Sequence, residues 1–286
     1  MRTLGVIGGS GLYEMDGLTS VEEHSVETSF GAPSDVIVSG QLGDVRLLFL
    51  PRHGRGHRLA PHEIPYRAHV LALKMLGAEQ VLSVSAVGSL KDSIQPGDVV
   101  VVDQFMDRTR MRPSTFFEGV GVVAHVAFGD PVDAALSEVL YRSAVDAGAR
   151  AHRGGTYVCI DGPQFSTRAE SNHYRSFGAS VVGMTNLPEA RLAREAELPY
   201  ATLALATDYD CWKTDEAHVT VDQVIAVLRK NVALAQTILR AAASRLPDPA
   251  ASPAVRALDD AILTPLDRFP TQAREKLGPL VARFAR

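Results

Sequence analysis

The stretch Leu198 to Trp212, with the sequence LPYATLALATDYDCW, indicates the fold of this chain. The run from Tyr200 to Ala206 carries no charge, is shorter than a typical helix and is bounded by turn residues. Such a run is typical of a strand that is covered on both faces of a sheet. It is followed by two carboxylates, Asp208 and Asp210. The sequence therefore predicts a buried strand that ends in an acidic pair.

Asp208 and Asp210 are two residues apart, and side chains at this spacing on an extended chain point to the same side. Ligands of open α/β sheets bind at the carboxyl ends of the strands. The pair is therefore expected to act on one ligand that is rich in N–H donors or that must be protonated before it leaves. The alternative is that both aspartates only serve a turn or cap the next helix. The stretch alone leaves both interpretations open.

Composition and charge limit the class of protein. The chain has 286 residues, enough for one large core with or without a tail. The formal net charge of −4 and the pI near 6.1 argue against a nucleic-acid-binding surface. No stretch approaches the roughly 20 apolar residues of a membrane span, and no signal-peptide pattern precedes the first strand. We expect a cytoplasmic protein that binds neither nucleic acid nor membrane.

The cysteines and histidines do not indicate a metal site. Cys159 and Cys211 are too few for a disulfide framework or a zinc site and suit a reducing compartment, although the sequence does not decide whether they pair. His53 and His57 share a glycine-rich turn, but no carboxylate or cysteine stands at ligand spacing near them. No metal is expected.

Strands and helices alternate along the chain, which predicts a single three-layer α/β/α domain around a mixed, mostly parallel sheet. The predicted strands are Leu4–Ile7, Val36–Gly40, Val45–Leu50, Val81–Val84, Val99–Val102, Thr156–Ile160, a strand from Val181, and Tyr200–Ala206. The predicted helices are Tyr66–Leu76, Asp133–Ala147, Pro188–Glu197 and a long helix after a capping-box pattern at Thr220–Gln223. From Pro247 the composition changes. We expect a domain over residues 1–246 and, over 247–286, a Pro-containing linker and a helical tail that packs on the body or on a neighbour.

Five predicted strand ends carry residues suited to a ligand. Four of them offer hydroxyl, backbone or cationic donors to an oxyanion, namely those near Ser10, Arg52 with His53, Ser85, and Thr185. The fifth is the acidic pair. Taken singly, the glycine turn at Ser10 equally fits a tight turn, and Phe165 either stacks on a flat ligand or plugs its own loop. Together the five ends predict one site for an anion and an N–H-rich heterocycle.

Eight segments resemble the S-methyl-5'-thioadenosine phosphorylases of the purine nucleoside phosphorylase superfamily, in order from about Leu4 to Leu246. They are IGGSGLY (7–13), PRHGRGH (51–57), SAVGSL (85–90), QPGD (95–98), DRTRMRPSTFF (107–117), DGPQFSTRAES (161–171), GMTNLPEA (183–190) and ATDYDCW (206–212). The resemblance implies an α/β fold, a homotrimer or a dimer of trimers with shared active sites, and a role in purine and methionine salvage. The implied reaction is the reversible phosphorolysis of methylthioadenosine to adenine and 5-methylthioribose 1-phosphate, with inorganic phosphate as co-substrate and without a metal or organic cofactor.

The resemblance also implies a role for each residue of the site. The phosphate ligands would be Ser10, Arg52, His53, Ser85, Ala86 and Thr185. The residues that meet the nucleoside would be Met184 at the ribose, Phe165 and Tyr209 near the base, Val224 at the methylthio group, and His125 from across a subunit interface. Asp208 and Asp210 would bond purine N7 and the 6-amino group and serve as the catalytic acids, while Ser166 and Val221 match positions that tune specificity.

The acidic pair favours adenine, because a carboxylate accepts a hydrogen bond from an amine whereas an amide can donate one to a carbonyl. Two alternatives remain open. One is a 6-oxopurine nucleoside or methylthioinosine phosphorylase on the same fold, and the other is a non-catalytic purine-binding regulator. The sequence does not decide how strictly the 5' substituent is read.

Overall fold

The structure is a computed structural model that describes residues 1–9, 11–213 and 221–284, with the backbone alone for residues 221–230. Its strands are β1 (Arg2–Gly8), β2 (Thr19–His24), β3 (Ile37–Leu42), β4 (Val45–Pro51), β5 (Gln80–Ser89), β6 (Val99–Val101), β7 (Gln104–Asp107), β8 (Ala151–Arg153), β9 (Thr156–Cys159), β10 (Val181–Gly183) and β11 (Tyr200–Asp208). Its α-helices are α1 (Tyr66–Met75), α2 (Ala134–Asp146), α3 (Arg168–Ser176), α4 (Asn186–Glu195), α5 (Val221–Ala243) and α6 (Thr271–Leu277).

Strand β5 lies at the centre of the sheet. Its first half pairs in parallel with β1, and almost its whole length pairs in parallel with β11. Its last two residues, Gly88 and Ser89, pair with β10, which runs antiparallel to it. From this centre the sheet extends through β1 to β4, β3 and β2, through β10 to β9 and β7, and through β11 to β6 and β8. The prediction of a mixed, mostly parallel sheet is confirmed.

Helices cover both faces of the sheet. Helices α1 and α4 contribute to one hydrophobic cluster and α2 and α5 to another. Side chains alternate between these layers along β11, because Ala204 and Ala206 belong to the first cluster and Leu203 and Leu205 to the second. The predicted three-layer arrangement is confirmed. Within the described ranges, no helix is both long and apolar enough to cross a membrane.

The predicted elements occur with their ends shifted by a few residues, and β5 differs most. It continues five residues beyond Val84, because β11 and finally β10 supply partners for its second half. The sequence patterns missed β2, β7, β8 and α3. Strand β2 is almost fully exposed and α3 is rich in polar residues, so neither carries the apolar periodicity that identifies a buried element. The predicted capping box begins at Thr220, outside the described residues.

The C-terminal segment packs on the body. Leu258, Leu277 and Leu280 are buried in the same cluster as α1 and α4. Ile262 forms a β-bridge with Ala124. Further along the tail, Arg283 forms an ion pair with Glu197, just before β11. The tail therefore extends the core of the body, while the domain boundary near Pro247 stays a prediction.

Replacing Leu277 by alanine tests this packing. Leu277 is fully buried, so Leu277→Ala is expected to lower the free energy of unfolding by about 2–5 kcal/mol through lost burial and a residual cavity. The control is Val145→Ala on the outer side of α2, where the side chain is 48% exposed and a change within about 0.5 kcal/mol is expected. Denaturant unfolding measures both. Equal effects of the two substitutions would contradict a stabilising role of the tail.

Candidate active site

Two of the predicted anion-binding residues, Ser85 and Thr185, meet at the middle of β5. Because β10 runs antiparallel to β5, Thr185, two residues after the end of β10, lies beside Ser85. Thr185 Oγ1 is 3.5 Å from Ser85 Oγ, and both residues contact the hydroxyl of Tyr157, at 3.2 Å from Ser85 Oγ and 3.3 Å from the Thr185 amide nitrogen. The expectation that Ser85 follows the end of a strand is wrong, since Ser85 lies inside β5. Ala86, its neighbour, is half-buried.

Arg52, directly after β4, is buried, and most of its donors are used within the protein. Its Nε donates to Glu189 Oε2 at 2.8 Å, and Nη2 donates to Ser83 Oγ at 2.7 Å and approaches Glu189 Oε1 at 3.2 Å. Its Nη1 donates to the carbonyl of Val84 at 2.9 Å. Burial lowers the pKa of Arg52, but the Glu189 carboxylate outweighs burial and the pKa is raised. The guanidinium fork therefore faces Glu189, and one Nη1 hydrogen remains for a ligand.

His53, the next residue, is fixed as a neutral tautomer. Its Nδ1 lies 2.8 Å from the carbonyl of Leu59, which only accepts, so Nδ1 carries the hydrogen and Nε2 keeps its lone pair. Burial lowers the pKa of His53 to about 4, with added effects of His57 and the guanidinium of Arg52. The two histidine rings stack at 4.0 Å with an interplanar angle of 14°, so their in-plane lone pairs do not converge on one cation. No cluster of three or more ligand residues suited to a metal occurs in the part of the chain that the structure describes.

The loop after β9 packs against the residues that follow β10. Gly162 has a φ of 65°, in the left-handed region that favours glycine, and a Cβ there would lie 2.4 Å from Met184 Sδ. Further along the loop, the ring of Phe165 is 48% exposed, so the alternative of a plug beneath the loop is wrong. The carbonyl of Ser166 accepts a hydrogen bond from Cys211 Sγ at 3.2 Å. The loop is thereby held next to the acidic pair.

Asp208 and Asp210 are brought together by a turn. Strand β11 is irregular at Asp208, and the amide of Asp210 donates to Asp208 Oδ1 at 2.7 Å. The hydroxyl of Thr207 donates to Asp208 Oδ2 at 2.6 Å. Asp210 itself has a φ of 53°, in the left-handed region that is uncommon for residues with a side chain. The expectation that the two carboxylates share one side of an extended strand is wrong, although Oδ1 of Asp208 and Cβ of Asp210 both lie near Gly88 of β5.

Asp210 has the properties of a proton donor. Its Oδ2 is buried and has no hydrogen-bond partner within the described ranges. The hydroxyls of Ser171 and Ser166 face the carboxyl group without forming a hydrogen bond of good geometry to this oxygen. Burial, reinforced by the charge of Asp208, raises the pKa of Asp210 to about 6. A carboxyl group with this pKa can hold a proton near neutral pH.

The remaining predicted site residues are partly buried, partly exposed and partly outside the described residues or side chains. The ring of Tyr209 is buried edge-to-face against Trp212, so its backbone is the part left to face a ligand. His125 is exposed, and its amide donates to the carbonyl of Ala261. Three predicted positions lie outside the described residues or side chains, namely Ser10, Val221 and Val224. The ligand roles of all these residues stay predictions.

Comparisons with known proteins identify the family of this chain. Residues 3–244 match the phosphorylase superfamily. The chain belongs to this superfamily. A protein of Geobacter sulfurreducens named S-methyl-5'-thioadenosine phosphorylase is 54% identical over 283 residues, which cover 99% of each chain.

Solved structures are similar to this chain in both sequence and fold. A methylthioadenosine phosphorylase from an antarctic soil metagenomic library has a TM-score of 0.92 and 48% identity over 98% of each chain. A point mutant of the adenosine/methylthioadenosine phosphorylase of Schistosoma mansoni, in complex with methylthioadenosine, has a TM-score of 0.79 and 39% identity over 85% of this chain and 91% of that one. The family and the fold that the sequence motifs predicted are confirmed.

Three buried residues of this phosphorylase were missed by the sequence reasoning. Glu189 pairs with Arg52, Tyr157 contacts Ser85 and Thr185, and Arg112 donates to the backbone carbonyls of Met184, Leu187 and Asp161. Glu189 and Arg112 occur in the quoted motifs GMTNLPEA and DRTRMRPSTFF, where an ionisable residue beside apolar ones was an available signal. Tyr157 sits in an ordinary strand pattern and gave none.

The two cysteines of the phosphorylase are free thiols. Cys159 is buried, and its Sγ lies 3.5 Å from the carbonyl of Leu187, while Cys211 is half-buried. Burial raises the pKa of Cys159 to about 12, so this thiol stays protonated.

The pKa of Asp210 predicts how stability depends on pH. The folded chain holds this proton up to about pH 6, whereas the ordinary pKa of an aspartate is 3.8, so the folded state binds more protons between these values. The contribution of Asp210 to stability is fully present below about pH 4 and is lost as pH rises through 6. Asp210→Asn removes this loss, and its unfolding free energy relative to wild type should rise across the window. Urea unfolding at several pH values measures it, with exposed Asp92→Asn as control. Parallel pH curves for wild type and Asp210→Asn would contradict the raised pKa.

Proposed function

We propose that this protein catalyses the reversible phosphorolysis of S-methyl-5'-thioadenosine to adenine and 5-methylthioribose 1-phosphate. Relatives that carry this name are 54% identical over almost the whole chain. The observation in the site that carries the proposal is the buried carboxyl group of Asp210, with its raised pKa, in the same site as the hydroxyl cluster around Ser85. Phosphorolysis needs both parts, an acid for the leaving base and an anion site for the nucleophile.

Asp210 acts on the leaving group. Breaking the glycosidic bond leaves an oxocarbenium-like sugar and an anionic purine, and a proton at purine N7 neutralises that base. A carboxyl group with a pKa of about 6 is matched to this transfer near neutral pH, and positioned acid catalysis of this kind contributes roughly 10²–10⁴-fold. Asp208 already accepts bonds from Thr207 and from the amide of Asp210. It therefore orients the turn and accepts from the 6-amino group with its remaining lone pairs.

Phosphate is the nucleophile and the co-substrate. The hydroxyls of Ser85 and Thr185 and the remaining Nη1 hydrogen of Arg52 donate to its oxygens, together with Ser10 and Ala86. Nε2 of the neutral His53 holds a lone pair and accepts from the P–OH hydrogen of the phosphate. Because the guanidinium is paired with Glu189, hydroxyl and single N–H donors carry much of the binding. Positioning at the anomeric carbon and electrostatic stabilisation of the transition state supply the remaining acceleration. The reaction as proposed requires no metal or organic cofactor.

Sugar and base contacts follow from the loops around the site. Met184 orients the ribose, and the exposed ring of Phe165 lies against the purine. Ser166, whose carbonyl is tied to Cys211, tunes the choice of base. Val221 and Val224 set the preference for the 5' group.

The active enzyme is a homotrimer with shared sites, working in purine and methionine salvage in the cytoplasm. The exposed side chains of Met111 and Val123 line a groove of about 600 Å³, and the amide of exposed Leu263 donates to the Val123 carbonyl. His125 lies two residues beyond Val123 and is itself exposed. The groove is also lined by charged residues such as Arg110 and Glu118. Exposed apolar side chains beside polar ones are typical of subunit contacts, which supports delivery of His125 into a neighbouring site.

Base release tests the reaction. Methylthioadenosine, methylthioinosine, adenosine and inosine are each incubated with the enzyme with and without phosphate, and free base is quantified. Fast, phosphate-dependent adenine release from methylthioadenosine is expected, with the rate lowered roughly 10²–10⁴-fold in Asp210→Asn and unchanged in the exposed control Asp92→Asn.

Other outcomes of this assay are equally informative. Preference for the inosine compounds would contradict the assignment of the acidic pair to adenine. Absence of cleavage together with purine binding would contradict the enzymatic function and favour a binding protein.

Mixing two inactive variants tests the shared site. Asp210→Asn damages a subunit's own site, and His125→Ala damages the neighbour's site. Co-refolding them should yield trimers in which roughly a quarter of the sites are intact, so activity returns that neither variant has alone. Light scattering should give three times the chain mass of 30.7 kDa. No recovery of activity in mixed trimers would contradict the role of His125.

A further inference from the structure

We infer that Tyr157 is a positioning residue of the phosphate site, whose buried hydroxyl holds the Ser85 side chain and the Thr185 backbone in place. This inference rests on the proposed phosphate-binding role of those two residues. Tyr157 belongs to β9, which does not pair with β5, yet its side chain reaches across β10 to the middle of that strand. No ligand role is assigned to Tyr157 itself.

The hydrogen-bond directions follow from the donors available. The amide of Thr185 can only donate, so the Tyr157 oxygen accepts from it at 3.3 Å. Because the hydrogen of Ser85 is directed to the carbonyl of Ala86, the phenolic hydrogen donates to Ser85 Oγ at 3.2 Å. In this state the hydrogen of Ser85 donates to the Ala86 carbonyl over a long 3.3 Å, and it can turn from there to an incoming phosphate oxygen. The hydroxyl of Tyr157 thus holds the side chain of Ser85 and the backbone of Thr185, whose own hydroxyl is the second donor.

The surrounding chain accommodates this hydroxyl. A Cβ on Gly183 would lie 2.1 Å from Tyr157 Oη and 2.6 Å from its Cζ, so no residue larger than glycine fits beside the ring. The φ of Gly183 is not in the left-handed region, so contact with Tyr157 is the reason for glycine here. The ring also packs edge-to-face on Phe105, with centroids 5.8 Å apart. Tyr157 is therefore held rigidly, as a positioning residue must be.

The hydroxyl remains a donor over the working range of pH. Burial raises the pKa of Tyr157 to about 12, with a smaller effect of the neighbouring Cys159. Tyr157 is fully buried and lies behind Ser85 and Thr185, so its contribution to phosphate binding passes through them.

Tyr157→Phe removes this single oxygen and keeps the ring. Loss of two hydrogen bonds is expected to raise the KM for phosphate, and the Kd for inorganic phosphate alone, by roughly tenfold. The KM for the nucleoside should change by less than about twofold, because both hydrogen bonds of this hydroxyl go to predicted phosphate ligands. The matched control is Tyr66→Phe, which also removes a buried phenolic oxygen with two hydrogen bonds. This oxygen donates to the carbonyl of Pro61 and accepts from Arg112 Nη1, and neither partner is a predicted phosphate ligand. Its phosphate constants should stay within about twofold of wild type.

A double-mutant cycle with Ser85→Ala distinguishes positioning from general loosening of the fold. If Tyr157 acts through Ser85, the effects of Tyr157→Phe and Ser85→Ala on the phosphate Kd are less than additive. Full additivity, or equal shifts of the phosphate and nucleoside constants in Tyr157→Phe, would overturn the inference. If Tyr157→Phe fails to fold by circular dichroism, Phe105→Leu removes the ring that packs on Tyr157 and should weaken phosphate binding selectively.

Calorimetric titration with inorganic phosphate needs no turnover. Wild-type protein that binds phosphate but releases no base would refute the proposed function and leave the inference about Tyr157 open to the same titration. Wild-type activity with an unchanged phosphate Kd in Tyr157→Phe would refute the inference alone.

Discussion

The buried ion pair between Arg52 and Glu189 ties the layers of this protein together at its site. It joins the end of β4 to helix α4, and the same guanidinium donates to β5 through Ser83 and Val84. Glu189 in turn accepts a hydrogen bond from Tyr200 at the start of β11. Removing one partner of such a pair leaves an uncompensated buried charge, which typically costs about 3–5 kcal/mol. The positive charge of Arg52 at the anion site is thus already balanced by Glu189. Neutral donors such as the hydroxyls of Ser85 and Thr185 therefore carry more of the binding.

A reversed strand brings the parts of the site together. If β10 ran parallel to β5, Thr185 would lie beyond Ser89, far along the strand from Ser85. Running antiparallel, β10 ends beside the middle of β5, and the hydroxyl of Tyr157 enters the space left by Gly183. On the other side of β5, a turn with a left-handed residue buries Asp210 near Gly88. The acid and the anion-binding hydroxyls therefore approach the same segment of β5 from two neighbouring strands.

Much of the fold was predictable because its elements carry strong local signals. The uncharged run of β11, the glycines after the helices and the amphipathic stripe of α2 each specify an element from nearby residues. Strand β2 and helix α3 were missed because an exposed or polar element buries too little apolar surface to leave a pattern. The extension of β5 past Val84 was missed because it depends on partners that lie about 90 to 120 residues further along the chain. Residues with strong chemistry were found, and neutral or compensated partners such as Tyr157 were not.

The sequence by itself determined the fold class, the family and the identity of the chemical groups, since these depend on residue types and short motifs. It identified the acidic pair, the hydroxyls and Arg52, but neither the protonation of the carboxyl groups nor the direction of the hydrogen bonds. Only the tertiary structure decided that Asp210, through burial and the charge of Asp208, is the carboxyl group with a pKa of about 6. Only the tertiary structure directed the fork of Arg52 to Glu189 and the hydroxyl of Tyr157 to Ser85. Proton affinity and donor direction depend on desolvation and on contacts between distant segments, which no local pattern of residues contains.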